Sequence, residues 1–327
     1  MKILVTGSAG HLGEGLVRTL RELGHEVIGT DLLPSEYTGP LGSIGDRDHV
    51  RACLQGVEAV LHTATLHKPH VATHTRQQFV DTNISGTLNL LEAAVEAGVK
   101  SFIFTSSTSV FGAALTPADQ DPAAWITEDV PPIPKNIYGV TKAAAENLCE
   151  LFHRKFQLPC IVLRTSRFFP EADDRAEVRA AYQDQNIKLN EFLYRRVDIQ
   201  DVVGAHLLAM QRAPEIGFGR YIISATSPFT RDDLPELRHA APAVLAKRVP
   251  AYPEIYARLG WKMFPDIDRI YVNERARQEL GWQPQYNFAM LLGQLAADRD
   301  PRSPLARVIG SRGYHANRFE DGPYPVE

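Results

Sequence analysis

Residues 2–6, Lys-Ile-Leu-Val-Thr, place three consecutive apolar side chains between polar ends. A run this short is strand-like, and its lack of alternation predicts a strand buried on both faces. Leu12, Leu16, Val17, Leu20 and Leu23 then recur at helical spacing and stop at Gly24, which predicts an amphipathic helix closed by glycine. The same change of period repeats along the first half of the chain. It predicts strands at 26–30, 58–62, 100–105 and 159–164, with helices at 48–55, from Asn83 to about 98, and from Tyr138 to about 157. A further helix opens at 198–201 and carries Val202, Val203, Ala205, Leu207 and Leu208, and residues 218–224 read as another strand. Strands alternating with helices predict an α/β fold around a parallel sheet. Three stretches lie outside the pattern. Residues 113–136, rich in Pro, Ala and Asp, read as a loop. A polar stretch with scattered aromatics begins at 166, and 228–327 reads as short helices among many prolines.

The turn after the first strand is Gly7-Ser-Ala-Gly10-His11-Leu12-Gly13, and the second strand ends at Asp31, 18 residues past Gly13. Glycines so placed permit a tight turn, admit backbone amides to a pyrophosphate and let the helix pack close to the sheet. The helix N-terminus then faces the phosphate charge. A carboxylate at the Asp31 position accepts hydrogen bonds from ribose hydroxyls and repels a 2′-phosphate, which favours NAD over NADP. An ordinary turn residue at a strand end is the other reading of Asp31, and Arg47 can reach in from the next loop. The expected fold is a Rossmann doubly wound parallel sheet over residues 1–165, to which 197–224 return. Residues 166–196 and 225–327 are expected to build a smaller mixed C-terminal lobe that binds substrate.

At 327 residues and 44% hydrophobic, the chain can bury a large core. A net charge of −4 without a long basic run argues against a nucleic-acid partner. With no secretory pattern and no apolar run of about 18 residues, a cytoplasmic protein with no membrane partner is expected. Cys53, Cys149 and Cys160 are odd in number and form no C-x-x-C, so reduced thiols are expected. The cluster His62, His67, His70 and His74 lacks helical metal-ligand spacing and nearby acids, and no metal is expected.

Candidate chemistry lies in Tyr138-Gly-Val-Thr-Lys142, downstream of the hydroxyl cluster Thr105-Ser-Ser-Thr-Ser109. Positions i and i+4 share a helix face. A cation held under a phenol lowers its pKa, and such a phenol can take the proton of an alcohol. The cluster ends a predicted strand, and ligands of open parallel sheets bind at strand carboxyl ends. The glycine turn and the hydroxyls therefore meet at one edge.

With these pieces in order, the chain resembles the extended short-chain dehydrogenase/reductases, the NAD-dependent epimerase/dehydratase family. The resemblance covers about residues 1–212 and a fragment, Tyr271 to Pro284, whose Leu280 and Trp282 read as packing residues. It rests on Gly7/Gly10/Gly13, Asp46, His62-Thr-Ala64, Asn83, and Ser-Ser-Thr-Ser-Val-Phe-Gly112 leading to Tyr138 and Lys142. The resemblance implies roles. Ser107 would hydrogen-bond the reacting oxygen, with Ser106 or Thr108 as a neighbour able to exchange roles with it. Tyr138 would take the proton, and Lys142 would bind the nicotinamide ribose and lower the phenol's pKa. Asp46 and Arg47 would sit near the adenine, Ala64 would line the pyrophosphate and ribose, and Asn83 would support the loop under the cofactor. Asn is also a favoured helix N-cap, and both roles can hold for Asn83. Such proteins often dimerise through the two long helices, here near 84–98 and 138–157. Leu88, Leu91, Val95, Leu148, Leu151 and Phe152 can equally be covered by the protein's own sheet.

The chain also departs from the family. Dehydratases carry Asp-Glu after the catalytic hydroxyl; here Thr108-Ser109 follows Ser107, which disfavours dehydration. Nucleotide-sugar epimerases place Asn in a pattern like L-R-x-x-N; here Arg167 ends Leu163-Arg-Thr-Ser-Arg167. The segment Phe169-Pro-Glu-Ala-Asp-Asp-Arg175 is instead similar to uronate dehydrogenases, in which an arginine holds the sugar carboxylate. Arg167 or Arg175 could serve, and either could be a surface arginine. The expected activity is an NAD-dependent sugar epimerase or oxidoreductase acting at a secondary hydroxyl of a sugar or sugar derivative. The alternatives are a dehydrogenase of a uronate or other acid sugar, and a non-catalytic NAD-binding regulator.

Overall fold

A computed structural model describes residues 1–311. Its strands are β1 (Lys2–Thr6), β2 (Glu26–Thr30), β3 (Ala59–His62), β4 (Ser101–Ser107), β5 (Ala124–Ile126), β6 (Cys160–Thr165), β7 (Phe218–Ile223) and β8 (Arg269–Tyr271). In the first half the helices are α1 (His11–Glu22), α2 (Arg47–Cys53), α3 (Arg76–Phe79), α4 (Gly86–Glu96) and α5 (Ile137–Phe156). In the second half they are α6 (Ala176–Ala181), α7 (Asp184–Glu191), α8 (Ile199–Ile216), α9 (Leu234–Arg248), α10 (Tyr252–Leu259), α11 (Phe288–Ala296) and α12 (Pro304–Ile309).

Six strands form one parallel sheet in the order β2-β1-β3-β4-β6-β7. Because successive residues of a strand point to opposite faces, the sheet carries two cores. Ile3, Val5, Leu61, Ile103 and Leu163 pack against α1 (Leu12, Leu16, Val17, Leu20) and α8 (Val202, Val203, Ala209). Leu4, Val60, Phe102, Phe104 and Val162 pack against α2, α4 and α5. This explains the unbroken apolar run of β1: Ile3, Leu4 and Val5 are all 0% exposed. Full burial of one such side chain contributes about 1.5–3 kcal/mol. The fold is thus the expected three-layer doubly wound α/β type, and the register pairs Thr6 with both Thr30 and His62. Strand order reverses between β1 and β3, so a crevice opens at their carboxyl ends.

Several elements differ from expectation. The loop 113–136 contains β5, which pairs in parallel with β8; three residues carry no readable period, and the partner lies far away in sequence. The polar stretch after 166 holds α6 and α7. The helix expected from Asn83 starts earlier, at Thr75, whose side chain and Gln78 cap each other's backbone. It passes through a π turn, Val80–Ser85, before becoming α4. Asn83 is therefore inside a helical path and is not an N-cap. Residues of α7, α9, α10 and α11 share a separate apolar cluster that includes Leu193, Leu237, Leu245, Ile270 and Phe288. Ala276, Leu280, Trp282 and Ile309 instead return to the α1/α8 face of the main sheet, and Trp282 Nε1 donates to the Asp201 carbonyl at 3.0 Å.

The tightest point of the fold is where α1 meets the glycine turn. A Cβ on Gly13 would stand 1.9 Å from the Gly7 carbonyl oxygen. Gly13→Ala must push α1 off the turn, at a cost of about 1–3 kcal/mol. The expected outcome is a melting temperature lowered by several degrees and NAD affinity weakened about tenfold or more, read by thermal melts and calorimetric titration. Unchanged affinity would show that the cofactor does not need this contact.

Candidate active site

After Thr6 the chain turns at Gly7, whose φ is +73°, a left-handed value that glycine adopts without strain. A Cβ there would lie 2.8 Å from both the Ala64 nitrogen and Thr63 Oγ1. The turn is thus closed by Ala64 on one side and by α1 on the other. No side-chain hydrogen bond caps α1 at Gly10, so its first-turn amides and dipole face the crevice. Only backbone fits this cradle, and a pyrophosphate is the ligand such a cradle suits. Asp31 stands at its rim: Oδ2 accepts from the Ala9 amide at 3.0 Å and Oδ1 from the Leu33 amide at 3.1 Å.

The other cofactor candidates divide. Leu12 is buried in the core beside α8, which leaves only its backbone for a ligand. The His11 ring stacks on Phe168 with centroids 6.2 Å apart. Asp46 caps α2, its Oδ1 accepting from Asp48 and His49 amides at 3.0 and 3.2 Å. Arg47 turns toward α4, donating to Asn89 Oδ1 at 3.1 Å and pairing with Glu92 at 3.1 Å. It is held on α4 rather than beside Asp31. Asn83 ties three segments together. Its Oδ1 accepts from the Leu66 amide (2.8 Å) and Thr65 Oγ1 (2.9 Å), and its Nδ2 donates to Thr141 Oγ1 (3.0 Å) on α5. The π turn presents it there, between the loop after β3 and the helix that carries Tyr138.

β4 delivers Ser107 to the sheet edge, where its hydroxyl donates to Ser109 Oγ at 3.1 Å. The alternation of the strand sends Ser106 the other way, to donate to buried Glu146 at 2.6 Å. Ser107 is therefore the hydroxyl at the edge. Thr108 follows, buried in a short 3₁₀ turn. Asn136 caps α5 by accepting from the Gly139 amide at 3.1 Å, so Tyr138 sits in the first turn and Lys142 one turn on. Tyr138 is 6% exposed and Lys142 2%, with Nζ 4.2 Å from the Phe104 ring centroid. The Ser107 side chain is the neighbour that lowers the Tyr138 phenol's pKa.

The electrostatics correct one expectation. Burial pushes the Tyr138 phenol up to about 12, and the group that pulls it back is Ser107, not Lys142. Burial also pushes Lys142 down to about 7, against the attraction of Glu146. A lysine whose own charge is half lost near neutrality, lying over an aromatic face, does little to make a phenolate.

The substrate candidates fare unequally. Arg167 Nη1 donates to Asp173 and to Glu191, each at 2.9 Å, and both carboxylates are fully buried. Its guanidinium is thus engaged inside the fold. Arg175 is 54% exposed, with Asp173 and Glu177 each at 3.9 Å. His67, which the sequence marked only as a member of a histidine cluster, has its ring 6.0 Å from that of Tyr138. Among the described residues there is no group of three or more metal-ligating side chains, and no helix is long and apolar enough to cross a membrane.

The depressed pKa of Lys142 has a stability consequence. The unfolded chain keeps this proton up to about 10.5, whereas the fold releases it above about 7. Between those values the unfolded state binds more protons, so stability rises with pH across the window, and the burial cost is largest below it. Lys142→Met should therefore raise the melting temperature more at pH 6 than at pH 9.5 while abolishing turnover. An equal shift at both pH values, or destabilisation at pH 6, would contradict the buried-charge assignment.

A family model described as "NAD dependent epimerase/dehydratase family" matches residues 3–223. A UDP-glucose 4-epimerase of Mycolicibacterium smegmatis is 31% identical, covering 88% of this chain and 95% of that protein. A 3-beta-hydroxysteroid dehydrogenase of Mycolicibacterium neoaurum is 25% identical over 90% of each. A short-chain dehydrogenase/reductase superfamily protein of Agrobacterium tumefaciens, solved with bound NAD, superposes with a TM-score of 0.65 at 26% identity, covering 91% of this chain and 96% of that one. The glycine cradle, the edge hydroxyl and the Tyr138–Lys142 pair thus sit in a matched frame: the chain is an enzyme of the NAD-dependent epimerase/dehydratase family, and its cofactor is NAD.

Proposed function

We propose that this enzyme oxidises or epimerises a secondary hydroxyl of a sugar or sugar derivative, with Ser107, Tyr138 and Lys142 as its catalytic residues. The observation that carries the reading is the juxtaposition of Ser107 at the end of β4, the side chain that pulls the Tyr138 phenol's pKa down, with Tyr138 in the first turn of α5 and Lys142 buried one turn on. NAD in the glycine cradle supplies the hydride acceptor. Ser107 holds the substrate oxygen as its charge develops. In oxidation Tyr138 takes the hydroxyl proton as its phenolate, and Ser107 favours that form by pulling the phenol's pKa down against burial. In reduction the neutral phenol, protonated at physiological pH, gives the proton back. Lys142 would hold the ribose hydroxyls of the nicotinamide half.

Polar, charged side chains around the substrate segment support a polyhydroxylated substrate. Lys68 pairs with Asp174 at 3.1 Å, and Arg167, Arg195 and Arg196 gather on Glu191 at 2.8–2.9 Å. An acid sugar is the second reading. Half-exposed Arg175 favours it, since a guanidinium suits a carboxylate bidentately, whereas Arg167 is committed to Asp173 and Glu191. A net dehydrogenase and an epimerase need the same three side chains.

The assembly proposed is a homodimer through α4 and α5. Leu91 and Phe152 are covered by the chain's own sheet, but Val140 and Leu151 on α5 are 47% and 37% exposed. Sedimentation should show a dimer that Leu151→Glu weakens; a wild-type monomer at micromolar concentration would remove the assignment.

The substrate class is tested by incubating the enzyme and NAD with free sugars, uronates, nucleotide sugars and 3β-hydroxysteroids, following NADH and sugar stereochemistry together. Turnover of a sugar is expected, with kcat lowered about 10²-fold or more by Tyr138→Phe. Turnover of the steroid alone would overturn the sugar assignment, and unchanged turnover in Tyr138→Phe would overturn the catalytic one.

A further inference from the structure

Beneath the cofactor cradle runs a chain of hydrogen bonds whose direction the structure determines. His62 ends β3 and is 1% exposed. Its Nδ1 lies 2.8 Å from Thr6 Oγ1, at the end of β1, and its Nε2 lies 3.0 Å from Thr87 Oγ1 on α4. Thr87 Oγ1 donates its one proton to the Asn83 carbonyl at 2.7 Å. Toward His62 it can only accept, so Nε2 carries the imidazole proton. Burial drives the His62 pKa down to about 3, so the ring is neutral and Nδ1 is an acceptor. Thr6 must then donate to Nδ1. Its oxygen, in turn, accepts from the Thr63 and Ala64 amides, both at 3.2 Å. Every donor in the sequence Ala64 amide, Thr6, His62, Thr87, Asn83 carbonyl has an acceptor, with no freedom to reverse.

The two ends of this chain are the two walls of the crevice. At one end the Ala64 amide sits against Gly7, where a Cβ would be only 2.8 Å away, so its position sets the shape of the glycine turn. At the other end is the Asn83 backbone, whose side chain holds Leu66 and, through Thr141, the helix of Tyr138 and Lys142. We propose that Thr6, His62 and Thr87 are positioning residues that couple the pyrophosphate cradle to the Asn83 wall, so that NAD binds to both walls as one preorganised unit. His62 touches no substrate in this role. It works as a neutral Nε2–H spacer between two hydroxyls, which gives this buried histidine a structural reason. Phe102 and Phe104, with ring centroids 6.1 and 5.5 Å from its own, hold it in place.

The test is a double-mutant cycle on NAD dissociation constants, measured by calorimetry on the full chain, with melting temperatures taken in parallel. Thr6→Val and Thr87→Val remove the hydroxyls while keeping volume; each is expected to weaken NAD about tenfold. A coupled unit predicts that the double variant is weakened little more than the worse single variant. Thr6→Ser and Thr87→Ser keep the hydroxyls and should stay within about threefold of wild type, a rescue that simple loss of packing does not produce. Should Thr6→Val not fold, His62→Gln, whose amide lies near the Nε2 position and far from Thr6, replaces it in the cycle. Additive losses approaching a hundredfold, serine variants as weak as the valine ones, or valine variants with wild-type affinity would each overturn the proposal.

Discussion

The structure depends on the approach of two backbones at the end of β1. Gly13 of α1 and the Gly7 carbonyl are so close that no side chain can stand between them, and Ala64 closes the same turn from the β3 side. That contact sets the seating of the first helix on the sheet, the direction of its N-terminal amides and the width of the crevice between β1 and β3. Phosphate recognition by this cradle would therefore be a property of packing. A ligand there would meet backbone donors that are held because the apolar faces of α1 and β1 bury each other behind them.

The same logic explains why so much polarity is tolerated behind the site. His62, Asn83, Thr87, Glu146 and Arg164 are all nearly inaccessible, and a buried polar group without a partner costs about 1–3 kcal/mol. Each is answered: His62 by two threonines, Asn83 by Leu66, Thr65 and Thr141, and Glu146 by Ser106 and a two-toothed Arg164. Lys142 is the exception in kind. Its charge faces an aromatic ring, and the cost appears as a depressed pKa. A buried cation kept at the edge of deprotonation is a local sacrifice of stability, of the kind a functional site can demand.

Much of this was readable from periodicity. The apolar run of β1, the 3.6-residue pattern of α1 and the strand ends at Thr30 and His62 are local properties, and local rules found them; β4 runs on to Ser107, two residues past its expected end. What escaped was non-local or unpatterned. β5 exists only because β8 lies beside it, and the early start of the helix before Asn83 comes from a capping pair, Thr75 and Gln78, outside any apolar stripe. The return of Trp282 and Ile309 to the main sheet is likewise invisible in a segment with no regular alternation.

Sequence alone determined the frame: an α/β sheet, a glycine turn that suits a pyrophosphate, an acid after the second strand, and a Tyr138–Lys142 pair on one helical face. These follow from spacing, and spacing is written in the chain. Only the tertiary structure decided what each group faces. It turned Ser106 inward and Ser107 to the edge, took Asp46 for a helix cap, committed Arg167 to Asp173 and Glu191, and made burial, rather than Lys142, the main influence on the Tyr138 phenol. The physical reason is that a pKa and a hydrogen-bond partner are set by desolvation and by neighbours distant in sequence, and neither exists until the sheet has closed over them.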